Sequence, residues 1–225
     1  MSIAATFGSG GGEPYARALR RDEQVLYLRD TASVALTGDR PLTMPIARWR
    51  DEADDVDRSL LSGHAGSVLD IGCGPARMVK AARDRGLFAL GIDVSGTVVA
   101  MARKQGLPVI RRSVFDPLPR EGSWDLALLV DGNIGIGGDV TSLLTRCAML
   151  LTPAGTLVVE VDADHARDRQ YDGTLTDMHG HQSASFPWAE IGSYALADRA
   201  AHAGMTCGQP WAFRERWFCR LARKA

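Results

Sequence analysis

Four aspartates stand at or just past the ends of four successive apolar runs: Asp70, Asp93, Asp116 and Asp131. Carboxylates in such places accept hydrogen bonds from the hydroxyl and amino groups of a small ligand. After the first run comes Gly72-Cys73-Gly74-Pro75-Ala76, followed by a helical pattern from about Arg77. Glycines there permit a sharp turn and close approach of a ligand, and the helix start offers free N–H groups. Asp93 lies about 21 residues beyond Gly72, the spacing at which a carboxylate accepts both hydroxyls of a ribose. As a plain helix cap it is less well placed than Ser95. In Ser113-Val114-Phe115-Asp116-Pro117-Leu118-Pro119, Asp116 suits an adenine amino group and Phe115 its ring, while the prolines fix the turn. An ordinary turn aspartate is the other reading of Asp116. The pattern points to a nucleotide-like small molecule.

The elements that must position these residues follow from the hydrophobic pattern. Strands are expected at Ser67–Ile71, Phe88–Asp93, Val109–Ser113, Asp125–Val130 and Thr156–Val161, with helices at Ala76–Arg85, Ser95–Gln105 and Asp139–Leu151. This alternation predicts an α/β fold, a mostly parallel sheet covered on both faces. Residues 1–12, rich in glycine, read as a flexible lead-in. Residues Glu13 to Leu61 carry helical patterns, including Val25 and Leu26, broken by a turn signal at Gly38-Asp39-Arg40-Pro41. Asp162 to Phe186 is polar without a clear period, Ala189–Ala203 reads as helix ending at Gly204, and Gly208–Phe213 with Arg216–Leu221 as a terminal hairpin. One domain is expected over 13–225, with a helical cap at 13–62 and a core at 63–225.

Lys and Arg number 26 against 27 Asp and Glu, a net charge of −1, which argues against a nucleic-acid partner. No apolar run reaches membrane-spanning length, and no secretory signal opens the chain. Four cysteines (Cys73, Cys147, Cys207, Cys219) show no zinc spacing and fit a reducing, cytoplasmic setting.

Taken in order, Asp70-Ile71-Gly72-Cys73-Gly74-Pro75-Ala76, Gly91-Ile92-Asp93-Val94-Ser95, Phe115-Asp116-Pro117-Leu118-Pro119, Trp124-Asp125-Leu126 and Leu151-Thr152-Pro153-Ala154-Gly155-Thr156-Leu157 resemble class I S-adenosylmethionine-dependent methyltransferases. The resemblance covers about Ser67 to Glu160. It departs at Ala76, where many members carry a third glycine. It implies a Rossmann-like seven-stranded sheet whose last strand is antiparallel. It also implies S-adenosylmethionine as methyl donor and S-adenosylhomocysteine as product. Asp70, Gly72, Cys73 and Gly74 would line the methionine portion, Asp93 and Val94 the ribose, Phe115 and Asp116 the adenine. Asp131 would stand beside the sulfonium, and Arg48 or Trp49 near the methionine carboxylate. A nicotinamide-dependent oxidoreductase shares the loop and Asp93. Against it stand Arg77, where a dinucleotide fold has its third glycine, Asp116 and the terminal hairpin. A non-catalytic protein that binds the same donor is the third reading.

Methyl transfer from a sulfonium is an in-line displacement that rests largely on orientation in a dry site. A base is needed only where the acceptor loses a proton. His165 and Asp162 are the candidates, with His179 and His181 behind them, and all four also read as solvated loop. Asp131 and Asp162 occupy positions that bind Mg²⁺ in catechol-type O-methyltransferases, but Ala163 replaces the asparagine that follows there, so no metal is expected. The Pro-Pro-aromatic loop of base- and glutamine-directed enzymes is replaced by Asp131-Gly132-Asn133-Ile134. Tyr171, Met178, Phe186 and Trp188, opposite Tyr15, Tyr27 and Trp49, are expected to cap a small-molecule acceptor, with specialised metabolites as the candidate class; satellite core is the other reading of these aromatic residues. Oligomeric state has no signature in the sequence.

Overall fold

Every residue of Ser67–Ile71 (β3) is buried, as a strand with neighbours on both sides and helices on both faces must be. The computed structural model describes residues 6–7, 14–21, 25–32 and 41–224. The lead-in expected at 1–12 and the turn signal at Gly38-Asp39-Arg40 therefore fall mostly outside the described residues. β3 pairs in parallel with β4 (Phe88–Asp93) and β6 (Trp124–Leu129). β5 (Val109–Arg111) extends one side and β7 (Leu151–Val161) the other, both in parallel. Beyond β7 lie β12 (Arg216–Arg223), antiparallel to it, and β10 (Met205–Cys207). The order is β10-β12-β7-β6-β3-β4-β5, the mostly parallel sheet that the alternation predicts, with the antiparallel last strand that the resemblance implies. β11 (Trp211–Phe213) closes the terminal hairpin on β12 and adds an eighth strand.

Alternate strand residues feed two cores. Leu69, Ile71, Ala127 and Leu129 pack with α6 (Val140–Leu150) and α7 (Ser193–His202). Val68, Leu126 and Leu128 pack with α4 (Arg77–Asp84), α5 (Gly96–Lys104) and α3 (Asp55–Leu60).

The segment before β3 is only partly the helical cap expected at 13–62. α1 (Pro14–Arg21), α2 (Ile46–Arg50) and α3 are helices, but Leu26 begins a strand, β1 (Leu26–Asp30), and β2 (Leu42–Met44) follows. Leu26 and Leu28 are buried while Tyr27 is not, a period of two that pairing makes decisive. The polar stretch expected to be irregular supplies β8 (Asp168–Thr176), and β9 (Phe186–Ile191) takes the first residues of the helix expected at Ala189–Ala203. These four strands form an antiparallel sheet in the order β2-β1-β8-β9. Tyr15, Trp49, Leu175, Phe186 and Trp188 build its core, which reaches Val98 of α5. β9 lies against the Asn133–Gly135 turn after β6, where a Cβ on Gly135 would collide with Ala189 O and the Trp188 ring. The small sheet thus covers the carboxyl edge of the large one. No helix among the described residues is long and apolar enough to cross a membrane.

Candidate functional site

The glycine loop after β3 is clamped from two sides. Gly72 N–H and Cys73 N–H donate to Ile92 O at 2.9 and 3.0 Å, and Gly74 N–H donates to Asp93 Oδ2 at 3.1 Å. Asn133 Nδ2 donates to Ile71 O and Gly72 O at 2.9 and 3.0 Å. Gly72 has φ +70°, and a Cβ there would stand 2.8 Å from Asn133 Nδ2. Ala76, standing where a third glycine is usual, caps α4 in the left-handed conformation, φ +74° and ψ 32°. The backbone demands there what glycine supplies freely, and alanine bears it at a cost of roughly 1–2 kcal/mol.

A cavity of about 280 Å³ opens at this loop, along the carboxyl ends of β3, β4 and β6 and the loop after β5. Its lining is graded. One end is an apolar slot of Ile92, Val94, Val114 and the exposed ring of Phe115, which packs over Gly137. In the middle stands Asp93, 8% exposed, accepting from Ser95 N–H at 2.8 Å and from Gly74. Burial raises its pKa to about 6, with the Ser95 and Gly74 N–H groups pulling the other way. Oδ1 takes the Ser95 N–H and Oδ2 the Gly74 N–H.

The other end is ionic. Arg77, the first residue of α4 and 7% exposed, donates from Nε to Asp57 Oδ2 at 2.8 Å and from Nη2 to Asp57 Oδ1 at 3.2 Å. The same Nη2 lies 2.7 Å from Asp131 Oδ2. Asp57 is fully buried because α3 begins with a capping box: Asp54 accepts Asp57 N–H at 2.8 Å, and the Asp57 carboxylate turns back to Asp54 N–H. Arg216 of β12 joins Asp57 at 2.7 Å, Glu160 at 2.6 Å and Asp131 at 3.5 Å. Arg48 is more loosely held, 3.4 Å from Asp57 and 3.6 Å from Asp131. Burial alone would raise the pKa of Asp57, but Arg77 and Arg216 hold it far below the usual carboxylate range. Asp131, at φ +58°, begins a left-handed pair with Gly132 that turns the chain across the cavity mouth.

Of the residues picked out from the sequence, Gly72, Cys73, Gly74, Asp93, Val94, Phe115 and Asp131 line this one cavity. Two do not. Asp70 is sealed behind the loop with Oδ2 free of any hydrogen bond, and burial raises its pKa to about 7 against the pull of Arg77. Asp116 is exposed, and its Oδ2 turns back to accept Ser113 N–H at 2.9 Å. The third-strand loop offers the cavity Ser113, Val114 and Phe115 instead. Burial pushes the Cys73 thiol well above its usual range, with the nearby Asp70 and Asp93 carboxylates adding to the rise.

The candidate bases are set apart. His165 lines neither this cavity nor its neighbour; its Nδ1 meets Ser193 Oγ at 2.8 Å and its ring packs edge-on to Trp217. His181 is bound to buried Asp177 at 2.8 Å, and His179 lines neither cavity. Asp162 lines a second cavity of about 220 Å³ under β2, α2 and β9, accepting Asp164 N–H at 2.8 Å. Glu160, Glu190 and Arg48 face the same space, and Met44, Trp49, Asp131 and Trp188 belong to both cavities. Trp49 is 7% exposed, and its Nε1 has no hydrogen-bond partner among the described residues. The described residues hold no group of three or more His, Cys, Asp or Glu arranged for a metal ion; Asp131 is paired with arginines instead.

Sequence reasoning missed Asp57, Arg216 and Asn133, which meet Arg77, Asp57 and Ile71 across 20, 159 and 62 residues respectively. It saw Arg77 only as a missing glycine.

Residues 68–155 match the family model described as a methyltransferase domain. A trans-aconitate 2-methyltransferase of Deinococcus radiodurans is 34% identical over 115 residues, 49% of this chain and 44% of the relative. A ubiquinone biosynthesis O-methyltransferase of Rhodopseudomonas palustris is 35% identical over 100 residues, 41% of this chain and 38% of the relative. The chain thus spans under half the length of these curated relatives. Among solved structures, an S-adenosylmethionine-dependent methyltransferase from Bacteroides fragilis in complex with S-adenosyl-L-homocysteine aligns with a TM-score of 0.74 at 18% identity, covering 95% of this chain and 94% of that one. Burkholderia thailandensis 1,6-didemethyltoxoflavin-N1-methyltransferase aligns at 0.59 and 20% identity, covering 99% and 94%. Residues 68–155 are thus similar to a methyltransferase domain, and the fold of the chain is that of these solved methyltransferases.

Proposed function

We propose that this protein transfers a methyl group from S-adenosylmethionine to a small organic acceptor and releases S-adenosylhomocysteine. The graded lining of the first cavity carries the reading: apolar slot, lone buried carboxylate and ion-paired end suit, in order, a purine, a ribose and an aminocarboxylate. When bound, the donor supplies a methyl already activated on a sulfonium. The chain's own residues have three tasks. Ile92, Val94, Val114 and Phe115 form the slot for the base, and Asp93 accepts from the ribose hydroxyls. Met44, Trp49 and Trp188, which belong to both cavities, exclude water from the space between donor and acceptor.

The second cavity, reached past Asp131, is the acceptor site in this reading. Its walls from β2, α2 and β9 are the part of the molecule outside the segment that matches the family model. The relatives named above act on unlike small molecules, which supports the acceptor class without choosing a member. The net charge of −1 and the enclosed sites favour a small molecule over a nucleic acid. Four free cysteines are compatible with a reducing compartment.

Two measurements test the proposal together. Calorimetry should show one S-adenosylhomocysteine bound per chain and no binding of NAD. Incubation with a radiolabelled methyl donor and fractionated metabolite extracts should place label in a small-molecule fraction. Absence of S-adenosylhomocysteine binding refutes the donor assignment. Tight binding with no label transferred to any extract would favour the non-catalytic reading.

A further inference from the structure

The acidic wall of the second cavity is unequally paired. Arg77 meets Asp131 at 2.7 Å, and Arg216 meets the two oxygens of Glu160 at 2.6 and 2.7 Å. Arg48 is the one cation that lines this cavity among the described residues, and it lies between Asp57 and Asp131 at 3.4 and 3.6 Å. With Asp57 included, these arginines and carboxylates balance.

Asp162 and Glu190 are held differently. Asp162 follows β7 and donates its N–H to Ile191 O at 2.9 Å, which sets it beside Glu190 of β9. One oxygen of each carboxylate accepts a protein donor: Asp162 Oδ1 takes Asp164 N–H, and Glu190 Oε1 takes the Tyr171 hydroxyl. The other oxygens, Oδ2 and Oε2, lie 3.7 and 4.0 Å from Arg167 Nε. Asp164 stands 4.0 Å from the same nitrogen, which is buried and makes no hydrogen bond among the described residues. Arg169, opposite Glu190 in the β8–β9 register, is paired with Asp30 at 2.7 Å. Three carboxylates therefore share an Arg167 Nε that closes on none of them, and the wall keeps an excess of negative charge. At 30% and 15% exposure, Asp162 and Glu190 are screened less than surface charges are.

A second observation comes from α2. Trp49 is buried and lines the cavity, and its Nε1–H meets no acceptor among the described residues. Buried donors are nearly always paired, so this one is left for an atom of a bound molecule. Trp188 of β9 lines the same space, and indole faces favour a cation over an anion.

Resting on the reading of this cavity as the acceptor site, we infer that the acceptor is an amine, bound as its ammonium ion by Asp162 and Glu190. Asp162 then binds a charge rather than removing a proton. An acidic acceptor would find only Arg48, which already serves two carboxylates.

The test uses protein saturated with S-adenosylhomocysteine, so that the first cavity is filled. Calorimetry would compare three probes that share a phenyl ring and a hydroxyl and differ in charge: 2-amino-1-phenylethanol, 1-phenylethane-1,2-diol and 3-hydroxy-3-phenylpropanoate. The amine should bind at least about tenfold tighter than the diol, as charge-assisted pairing requires, and the carboxylate more weakly than either. Asp162→Asn and Glu190→Gln keep an oxygen for Asp164 N–H and for the Tyr171 hydroxyl. Each should weaken the amine by about tenfold and leave the diol and S-adenosylhomocysteine unchanged. Equal wild-type affinity for amine and diol, or tighter binding of the carboxylate, overturns the inference without any variant. So does failure of the amine to bind protein that holds S-adenosylhomocysteine, and so does equal weakening of amine and diol in folded Asp162→Asn. Label passed from a radioactive methyl donor into metabolite extract should be retained by a cation exchanger; label found only in the flow-through refutes an amine acceptor while leaving methyl transfer intact. If S-adenosylhomocysteine itself does not bind, the donor reading fails instead.

Discussion

Replacing Asp93 by alanine removes the carboxylate at the middle of the first cavity. In the proposed role it accepts two ribose hydroxyls, and hydrogen bonds to a charged acceptor contribute at least about 1.5 kcal/mol each. Their loss should cost about 3 kcal/mol, a rise in the dissociation constant of roughly a hundredfold. The side chain has a second task that complicates the reading. It also accepts Gly74 N–H at 3.1 Å and Ser95 N–H at 2.8 Å, so the variant loosens the glycine loop from β4. A thermodynamic cycle separates the two effects. S-adenosylhomocysteine and its 2′,3′-dideoxy analogue would be titrated calorimetrically into wild type and into Asp93→Ala shown to be folded by circular dichroism. The hydroxyl-dependent part of the loss should vanish with the dideoxy ligand, and whatever remains measures the loosened loop. Because burial raises the Asp93 pKa to about 6, wild-type affinity should also fall as pH drops through that value, and the variant should lack this dependence. A folded variant with unchanged affinity would refute the ribose assignment. An equal loss for both ligands would reduce Asp93 to a loop anchor.

Three further outcomes follow from the same geometry. Gly72→Ala places a Cβ 2.8 Å from Asn133 Nδ2 at φ +70°, so thermal stability should fall by the equivalent of roughly 1–2 kcal/mol or more, with weaker S-adenosylhomocysteine binding in the same calorimeter. Asp70 keeps its proton in the folded state up to about pH 7, while the unfolded chain releases it near pH 4. Wild-type stability should therefore fall across that window and then level off, and Asp70→Asn should gain up to about 4 kcal/mol at pH 8 and almost nothing at pH 4, read by chemical denaturation. His165→Ala should leave both donor affinity and methyl-transfer rate unchanged while lowering the melting temperature, because its ring serves Ser193 and Trp217 rather than a cavity; a large loss of turnover would restore it as a base.

The core sheet was legible because its strands are short apolar runs ending in glycine or aspartate, and a parallel sheet buried on both faces leaves no other pattern. The cap was not. In β8, Asp168, Gln170 and Asp172 are exposed while the partly buried positions between them are Arg169 and Tyr171, so hydropathy shows no alternation even though the backbone alternates. The strand forms because β1 pairs with it across 143 to 149 residues of sequence, information that no local window holds. The same limit governs the site. Gly72, Gly74 and Asp93 are recognisable by spacing, since each acts through local backbone geometry. Asp116 has the right type and place, yet it spends its carboxylate on Ser113 N–H three residues away, a choice that side-chain geometry makes and spacing does not. Arg77 was visible only as a departure, because its meaning depends on Asp57 and Asp131 from other elements.

The ionic end of the cavity also bears on how cap and core hold together. Asp57 comes from α3, Arg77 from α4, Asp131 from the loop after β6, Glu160 from β7, Arg216 from β12 and Arg48 from α2. Three guanidinium groups meet three carboxylates, so the cluster is neutral as a whole, with Asp57 and Arg77 buried and the other four partly exposed. Replacing such a set by apolar groups can be neutral for stability, whereas removing one member leaves an unpaired buried charge and is costly. Stability alone therefore does not account for six charged side chains at this place. The set ties α2 and α3 of the cap to β7, β12 and the loop after β6, so it fixes how cap and core meet.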